Sequence, residues 1–426
     1  MNGWQILNKS IIFQKEGIMD IEKINEIKAQ MDYERTRNSH PEGFPKLPEI
    51  PGKRYTDKNL YNLEIENIFL KSWLMIFRED EVINPGDYKM FNKLGREILI
   101  VRQNDNSLRA FYNTCQHRGA PVVRETEGNT KMLRCQYHSW AYDLAGNLVK
   151  VPDLRDFKDF DPKCKKLKQV HCDTWGGWVY ISLSEDDPGS LIDFLNPVAH
   201  ELECFNSSEL ITVYKKNVTV KANWKTCLDA FMEVYHAPTI HKDTVNILLD
   251  GSAMAAGLLK NGHSRMVTPK KINLEGGFLG AENSDYVPYI ETCDKIHAET
   301  NVAYGMFPNF ITPTDTSGYP AILFWPKGLR ETEFEWIQIA PKWPGDEKPD
   351  YWKEQETSFD LIMEEDFKNL EPMQISHDSG VFESMPLNYQ ERRIYYYHQM
   401  IDDWIGRENL PKDIQVPNIL DPFVEA

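Results

Sequence analysis

The sequence predicts an α+β chain: an all-β module first, then one antiparallel sheet with helices packed against it. Three observations carry this. Short β-type runs separated by turn signals fill residues 70 to 184. Three further strand-like runs follow late in the chain, AYGMFPNFITPT, AILFWPKGL and EFEWIQIAPKW. Helical periodicity then occupies roughly 350–370 and 387–406.

At 426 residues the chain exceeds one ordinary core. Residues 1–69 read as a helix and linker packing on the C-terminal part, 70–184 as the β-module and 185–426 as the sheet-and-helix domain. The leading MNGWQILNKSIIFQKEG has no long apolar segment and no clear cleavage site. Met19 is an alternative start, because Ile21, Ile24 and Ile27 recur on one side of a helix over 20–34. HPEGFPKLPEIPGKRY is an extended linker. KSWLMIFRED, GDYKMFNKLGREILIVRQ, LRAFYNTC, KMLRCQYHSWAYDLAG and GGWVYISLSE are the strands of the module, with NDNS, LAGN and WGGW as turns. DDPGSLIDFLNPVAHELECF holds a short helix, and ELITVYKKNVTVKANW a strand pair or one bent strand. A helix is expected over 223–236, ended by Pro238. Residues 243–300 read as irregular, with NLEGGFLGAENS lining a pocket.

Composition excludes several classes. Hydrophobic residues at 41% and aromatics at 12% supply a sizeable core, so most of the chain is ordered. Lys plus Arg total 48 against 65 for Asp plus Glu, a net charge of −17 that repels nucleic acid and anionic membranes. Seven scattered cysteines point to a reducing, cytoplasmic compartment rather than a disulfide framework. No apolar run reaches the roughly eighteen residues of a membrane span.

The densest chemistry lies between Cys115 and His138. Cys115-Gln-His117 and Cys135-Gln-Tyr-His138 each offer one thiolate and one imidazole, on two loops of the β-module. A Cys2His2 zinc site is the competing occupant, but zinc-finger histidines usually sit together on one helix. One Cys and one His per loop suits a [2Fe–2S] cluster with two Cys on one iron and two His on the other. Gly119 and Gly146 permit close backbone approach, and Trp140 and Tyr142 shield the cluster.

The pattern in NTCQHRGAPV and LRCQYHSWAYDLAGNL resembles the Rieske domain of the Rieske non-haem iron oxygenases. Electron-carrying Rieske proteins share that motif, so the deciding question is a second metal. NWKTCLDAFMEVYHAPTIH supplies Asp229, Glu233 and His236 on one expected helix face, with His241 beyond the Pro238 break. Two imidazoles need one carboxylate to complete the facial triad of Fe(II) oxygenases. In SFDLIMEEDFKNLEPMQ, Phe359, Met363, Asp366 and Leu370 share one helix face, while Asp360, Glu364, Lys368 and Glu371 share a charged one. Asp366 is the acid on the apolar stripe, with Glu365 the less favoured substitute.

Asn223-Trp224-Lys225, the two histidines and the late Asp also resemble the large (alpha) subunit of the aromatic-ring-hydroxylating type in pattern and order. The resemblance implies a helix-grip catalytic domain, a Rieske [2Fe–2S] cluster, a mononuclear Fe(II), and a ferredoxin or flavin reductase passing on NAD(P)H electrons. It implies a head-to-tail homotrimer, with or without a small beta subunit. It places Glu233 as the acid bridging a cluster histidine, His138 or His117, of one subunit to an iron-ligand histidine of the next; Asp229 stands one turn earlier. The implied activity is O2-dependent hydroxylation or dihydroxylation of an aromatic or otherwise hydrophobic molecule in aromatic compound catabolism. The runner-up is demethylation of a quaternary amine, for which Trp325, Trp336 and Tyr304 would supply an aromatic cage. Phe231, Met232, Cys227, Leu248, Leu249, Phe307, Asn309 and Phe324 are the candidate pocket lining. Arg118, Arg124, Lys131, Arg134 and the lysines Lys163, Lys165, Lys166 and Lys168 form a basic patch for an acidic donor. An electron carrier without the second iron and a hydrophobic-ligand binder on the same scaffold are the competing readings; iron and sulfide content separates them.

Overall fold

The computed structural model describes residues 19–271 and 286–425. The leading segment before Met19 and the Gly-rich NLEGGFLGAENS, to which a pocket role was assigned, lie outside the described residues.

Two seven-stranded antiparallel sheets organise the chain. The first runs in the order Leu74–Arg78, Trp178–Ser182, Gln169–Trp175, Leu108–Tyr112, Ile98–Arg102, Asp87–Phe91 and Glu127–Asn129. A three-stranded sheet of Leu133–Arg134, Ala141–Tyr142 and Leu148–Lys150 stands beside it. Leu99, Val101, Phe111, Leu133, Trp140 and Tyr142 form a core of their own between the two, with Cys115 and Cys135 inside it. The second sheet runs Ile211–Val220, Glu331–Ala340, Tyr319–Gly328, Phe310–Thr314, Thr300–Met306, Ser264–Pro269 and Ala255–Leu258. Sequence neighbours pair throughout its last six strands, and Ile211–Val220 closes the edge against the last strand.

Ile211–Val220 is one long strand, bent by a register shift between Thr212 and Tyr214. The stretch expected to be irregular contains two strands, Ala255–Leu258 and Ser264–Pro269. Both are buried on nearly every residue, which removes the alternation that marks a strand in sequence.

The long helix Asp350–Asp378 runs past the expected end, continuing through Pro372. It buries Gln355, Phe359, Met363, Asp366, Leu370 and Gln374 along one stripe. The helix expected over 223–236 is much shorter, Trp224–Asp229. Glu233 marks the change of course beyond the stop. The Asp229 carboxylate turns to the Tyr55 hydroxyl at 2.7 Å, and past the helix end the Glu233 carboxylate accepts the backbone N–H groups of Tyr235 and His236. Asp229, Glu233 and His236 therefore do not share a helix face. Pro238 does not break a helix but starts one, in the first turn of Ala237–Ile240.

Asn223-Trp224-Lys225 anchors this region. The Asn223 side chain caps the helix, accepting from Lys225 N–H at 3.0 Å, and Asn223 N–H donates to Gln374 on the long helix at 2.7 Å. Trp224 Nε1 and Lys225 Nζ both donate to the buried Glu64 carboxylate.

Candidate functional site

Two loops with matching hydrogen bonds present the first set of ligands. Cys115 N–H donates to Ala120 O and Gly119 N–H to Cys115 O; Cys135 N–H donates to Trp140 O and Ser139 N–H to Cys135 O. Each loop takes a left-handed residue four past its cysteine, Gly119 at φ +75° and Ser139 at φ +58°. Both thiols are buried, and the His117 and His138 rings stand 4.7 Å apart. Trp140 stacks on His117 at 4.7 Å. The Tyr142 hydroxyl lies 3.3 Å from Cys115 Sγ and accepts Gln116 N–H at 2.9 Å. Burial, with the His138 and Arg118 charges nearby, holds the His117 imidazole below its ordinary range, in the neutral form that ligates a metal. Two buried thiols facing two imidazoles fit a [2Fe–2S] cluster ligated by both types.

The second set lies between the turn after Trp224–Asp229 and the long helix. His236, His241 and Asp366 bring one ligand atom each to within 4.8 Å of the others. Asp366 Oδ1 is 3.2 Å from His241 Nε2 and 3.7 Å from His236 Nε2. The far nitrogens are held from behind: His236 Nδ1 by Glu233 Oε1 at 2.5 Å, His241 Nδ1 by Glu365 Oε2 at 2.7 Å. Both rings thus turn Nε2 to the same point as Asp366, the arrangement of metal-ligating histidines with carboxylates behind them. Burial works against the imidazolium at each ring, but Glu233 and Asp366 at His236, and Asp366 and Glu365 at His241, raise both above the ordinary range. Three carboxylates around two imidazoles in an apolar setting call for a cation, and a divalent iron fits this donor set.

A cavity opens beside this cluster, with about 1050 Å³ of atom-free space counted together with its open mouth. Its apolar lining includes Phe231, Val234, Leu249, Phe359 and Met363. Its polar lining includes Thr268, Asn301, Asp315, Ser317, Gln338 and Gln355. Of the expected lining, only Phe231 and Leu249 reach it. Phe324 packs behind Phe231, Phe307 packs on Trp404 and Tyr397, and Asn309 binds the Phe324 backbone. Cys227, Met232 and Leu248 do not line it either. Trp325, Trp336 and Tyr304 are core residues away from the cavity, so they build no cage there. Asp229 does not join the His–Asp cluster; its Oδ2 meets Tyr55 and, at 3.3 Å, His398 Nε2.

The supporting role of Glu365 escaped the sequence reading, which took it only as a substitute for Asp366. Its adjacency to Asp366 on the helix is the signal that was available: neighbours point about 100° apart, so one acid faces the metal and the other flanks it.

An all-β module with a Cys2His2 loop pair, joined to a helix-covered sheet carrying a two-His, one-carboxylate cluster, defines a Rieske-type non-haem iron oxygenase. Family comparison agrees: residues 72–162 match the Rieske [2Fe-2S] domain, and residues 207–407 match the ring hydroxylating alpha subunit catalytic domain. The chain belongs to the Rieske non-haem iron oxygenase family, as an alpha-type subunit with a Rieske [2Fe–2S] domain and a His/Asp mononuclear iron site. Among curated relatives it is 35% identical over 208 residues to the carnitine monooxygenase oxygenase subunit of Escherichia coli (strain K12), covering 47% of this chain and 55% of that one. It is 36% identical over 194 residues to the chlorobenzene dioxygenase subunit alpha of Cupriavidus sp. (strain PS12), covering 43% and 42%. The chain thus spans about half the length of the curated relatives it matches. A quaternary ammonium Rieske monooxygenase has the same fold, with a TM-score of 0.71 at 21% identity over 87% of this chain and 100% of that one. So does naphthalene 1,2-dioxygenase from Rhodococcus sp., with a TM-score of 0.69 at 19% identity over 92% and 100%. Among the described residues no helix is long and apolar enough to cross a membrane.

Proposed function

We propose that this chain is the terminal oxygenase of a multicomponent system that hydroxylates or dihydroxylates a largely apolar small molecule with O2. The carrying observation is the His236–His241–Asp366 cluster opening onto an apolar cavity, in a chain that also carries the Cys115, His117, Cys135, His138 set. When bound, the cluster supplies single electrons and the Fe(II) supplies oxygen activation. The protein's own residues do the rest. Glu233 and Glu365 orient the two imidazoles. Phe231, Val234, Leu249, Phe359 and Met363 desolvate the substrate's apolar part, and the polar wall around Asp315 and Gln338 fixes its orientation.

Glu233 is the proposed bridge between subunits of a head-to-tail trimer. Its Oε1 already holds His236 Nδ1, and it retains acceptor capacity for a histidine of the next copy. Two exposed tyrosines support an interface at both ends of this relay: Tyr235 at 63% beside the bridge and Tyr137 at 55% against the His138 ring. The electron donor, a ferredoxin or flavin reductase, docks on the exposed basic residues Arg118, Arg124, Lys131 and Arg134. The proposed division is 1–69, 70–184 and 185–426, supported by one seven-stranded sheet with strands between Leu74 and Ser182 and another with strands between Ile211 and Ala340.

A second reading, oxidative demethylation of a quaternary amine, is favoured by Glu233, a glutamate where the family more often has aspartate. Against it, the aromatic side chains on the cavity wall among the described residues are Phe231 and Phe359 alone. O2 uptake and product analysis with a surrogate reductase decide it. Aromatic acids and hydrocarbons should give oxygenated products coupled to O2 consumption. Uptake coupled only to betaines would establish the second reading, and no substrate-coupled uptake with fully loaded metal would remove both.

A further inference from the structure

A second cluster of metal-ligating side chains lies apart from the iron site. Cys204 sits in the turn Glu203–Phe205, between the first module and the second sheet. Asp294 caps the helix Lys295–Glu299, His297 lies within it, and Cys293 immediately precedes the cap. Cys204 Sγ, a carboxylate oxygen of Asp294 and a ring nitrogen of His297 lie within 4.8 Å of one another, and all three residues are buried. His297 Nδ1 is 2.7 Å from Asp294 Oδ1 and 3.8 Å from Cys204 Sγ. Cys293, immediately before Asp294, offers a second thiol on the same segment.

Two further features point to a ligand here. Asp294 is 6% exposed, and its Oδ2 is buried without a hydrogen-bond partner of good geometry, although the Met19 backbone lies near enough to stabilise the carboxylate. A buried, half-satisfied carboxylate is costly unless a cation answers it. The outer nitrogen of His297 is already fixed: Nε2 lies 3.0 Å from the Tyr304 hydroxyl. A ring held from behind, with its other nitrogen facing a thiol and a carboxylate, repeats the pattern seen at the iron site.

We propose that Cys204, Cys293, Asp294 and His297 form a buried structural site for a thiophilic divalent metal, with zinc the expected occupant. Two thiolates, one imidazole and one carboxylate make a closed four-ligand set with no open position for substrate. Binding forms two metal–sulfur bonds and sends the two thiol protons to solvent; no electrons are transferred. The site ties the entry of the second sheet domain to the helix that leads into the strand Thr300–Met306, residues 93 apart in sequence.

Elemental analysis of the full-length holoprotein, purified without chelator from zinc-supplemented culture, tests this. Expected is about one zinc per chain in addition to the iron. Cys204→Ser and His297→Ala should each remove most of that zinc while the Rieske absorbance stays. To keep the test independent of how those variants fold, the wild type is also titrated with a thiol reagent: Cys204 and Cys293 should resist it until a strong chelator strips the zinc, then react. Three results overturn the proposal. One is wild-type protein free of zinc even after reduction and addition of Zn²⁺. Another is zinc that is lost in Asp366→Ala but kept in Cys204→Ser, which would place it in the iron site. The last is a reductant-sensitive Cys204–Cys293 disulfide in the protein as isolated.

Discussion

At the residue scale, the ligands were legible because their chemistry is local. Cys115, His117, Cys135 and His138 announce themselves by spacing, and the turn geometry only explains why Gly119 and Ser139 stand where they do. What surrounds the ligands was less legible, because hydrogen bonds such as Glu365 to His241 join residues 124 apart. Two predictions belong here. Tyr142→Phe removes a hydroxyl that can donate to Cys115 Sγ and stabilise the reduced cluster's extra charge. Losing a hydrogen bond worth roughly 1 kcal/mol should lower the reduction potential by roughly 40 mV, read by a redox titration of the Rieske absorbance. An unchanged potential would deny the contact any influence on the cluster. Glu233→Gln should leave reduction of the cluster by its donor intact yet slow product formation about 10- to 100-fold, with Glu233→Asp partly restoring it. The discriminating readout is single-turnover reoxidation of the reduced cluster in the presence of substrate and O2. Wild-type reoxidation in Glu233→Gln would end the bridging role.

At the element scale, periodicity revealed the long helix and its apolar stripe but misjudged the helix that carries the histidines. Helical spacing extends through Asp229, Glu233 and His236, yet the helix stops at Asp229, and beyond it the Glu233 side chain takes the backbone N–H groups of Tyr235 and His236. Nor could pattern alone explain Trp224 and Lys225, whose partner Glu64 lies 161 residues from Lys225 on an earlier helix. Both side chains of the Lys225–Glu64 pair are fully buried. Removing one partner strands the other charge, an effect typically worth about 3–5 kcal/mol. Glu64→Ala should therefore lower the Tm and release the mononuclear iron, because the helix it anchors leads straight into His236 and His241. Replacing both residues, Glu64→Leu with Lys225→Met, should recover much of the loss. Thermal unfolding with iron analysis checks this; a single variant as stable as the wild type would show that the pair holds nothing in place.

At the scale of the whole molecule, two modules were readable but their contact was not, since strand alternation says nothing about which charged residue crosses from one sheet to the other. Lys93, between the strands Asp87–Phe91 and Ile98–Arg102 of the cluster module, reaches the strand Glu331–Ala340 of the catalytic sheet. Its Nζ lies 2.6 Å from Glu333 and 3.3 Å from Glu335, and 5.6 Å from the Trp325 ring centroid. Glu335 also meets Lys215 at 2.8 Å. Burial pushes the Glu335 carboxyl up, but Lys215 and Lys93 outweigh it and hold the folded-state pKa below the ordinary 4.5. The sign follows from that direction: ionised Glu335 favours the folded state above about pH 4.5, and the contribution fades as pH falls through the lowered folded value. Lys93→Met leaves Lys215 in place but removes one of the links between the modules, beside the Phe91–Trp325 ring contact and the Arg78 bonds to Ser207 and Leu210. It should cost about 1–3 kcal/mol near neutral pH, and the difference from wild type should shrink steadily below about pH 4.5. Denaturant unfolding followed through both the Rieske absorbance and tryptophan fluorescence gives the measurement. The two signals should separate further in Lys93→Met than in wild type, because the modules are then less firmly coupled. Stability curves that run parallel across the acid range would show that Lys93 and Glu335 do not share a charge-dependent clamp.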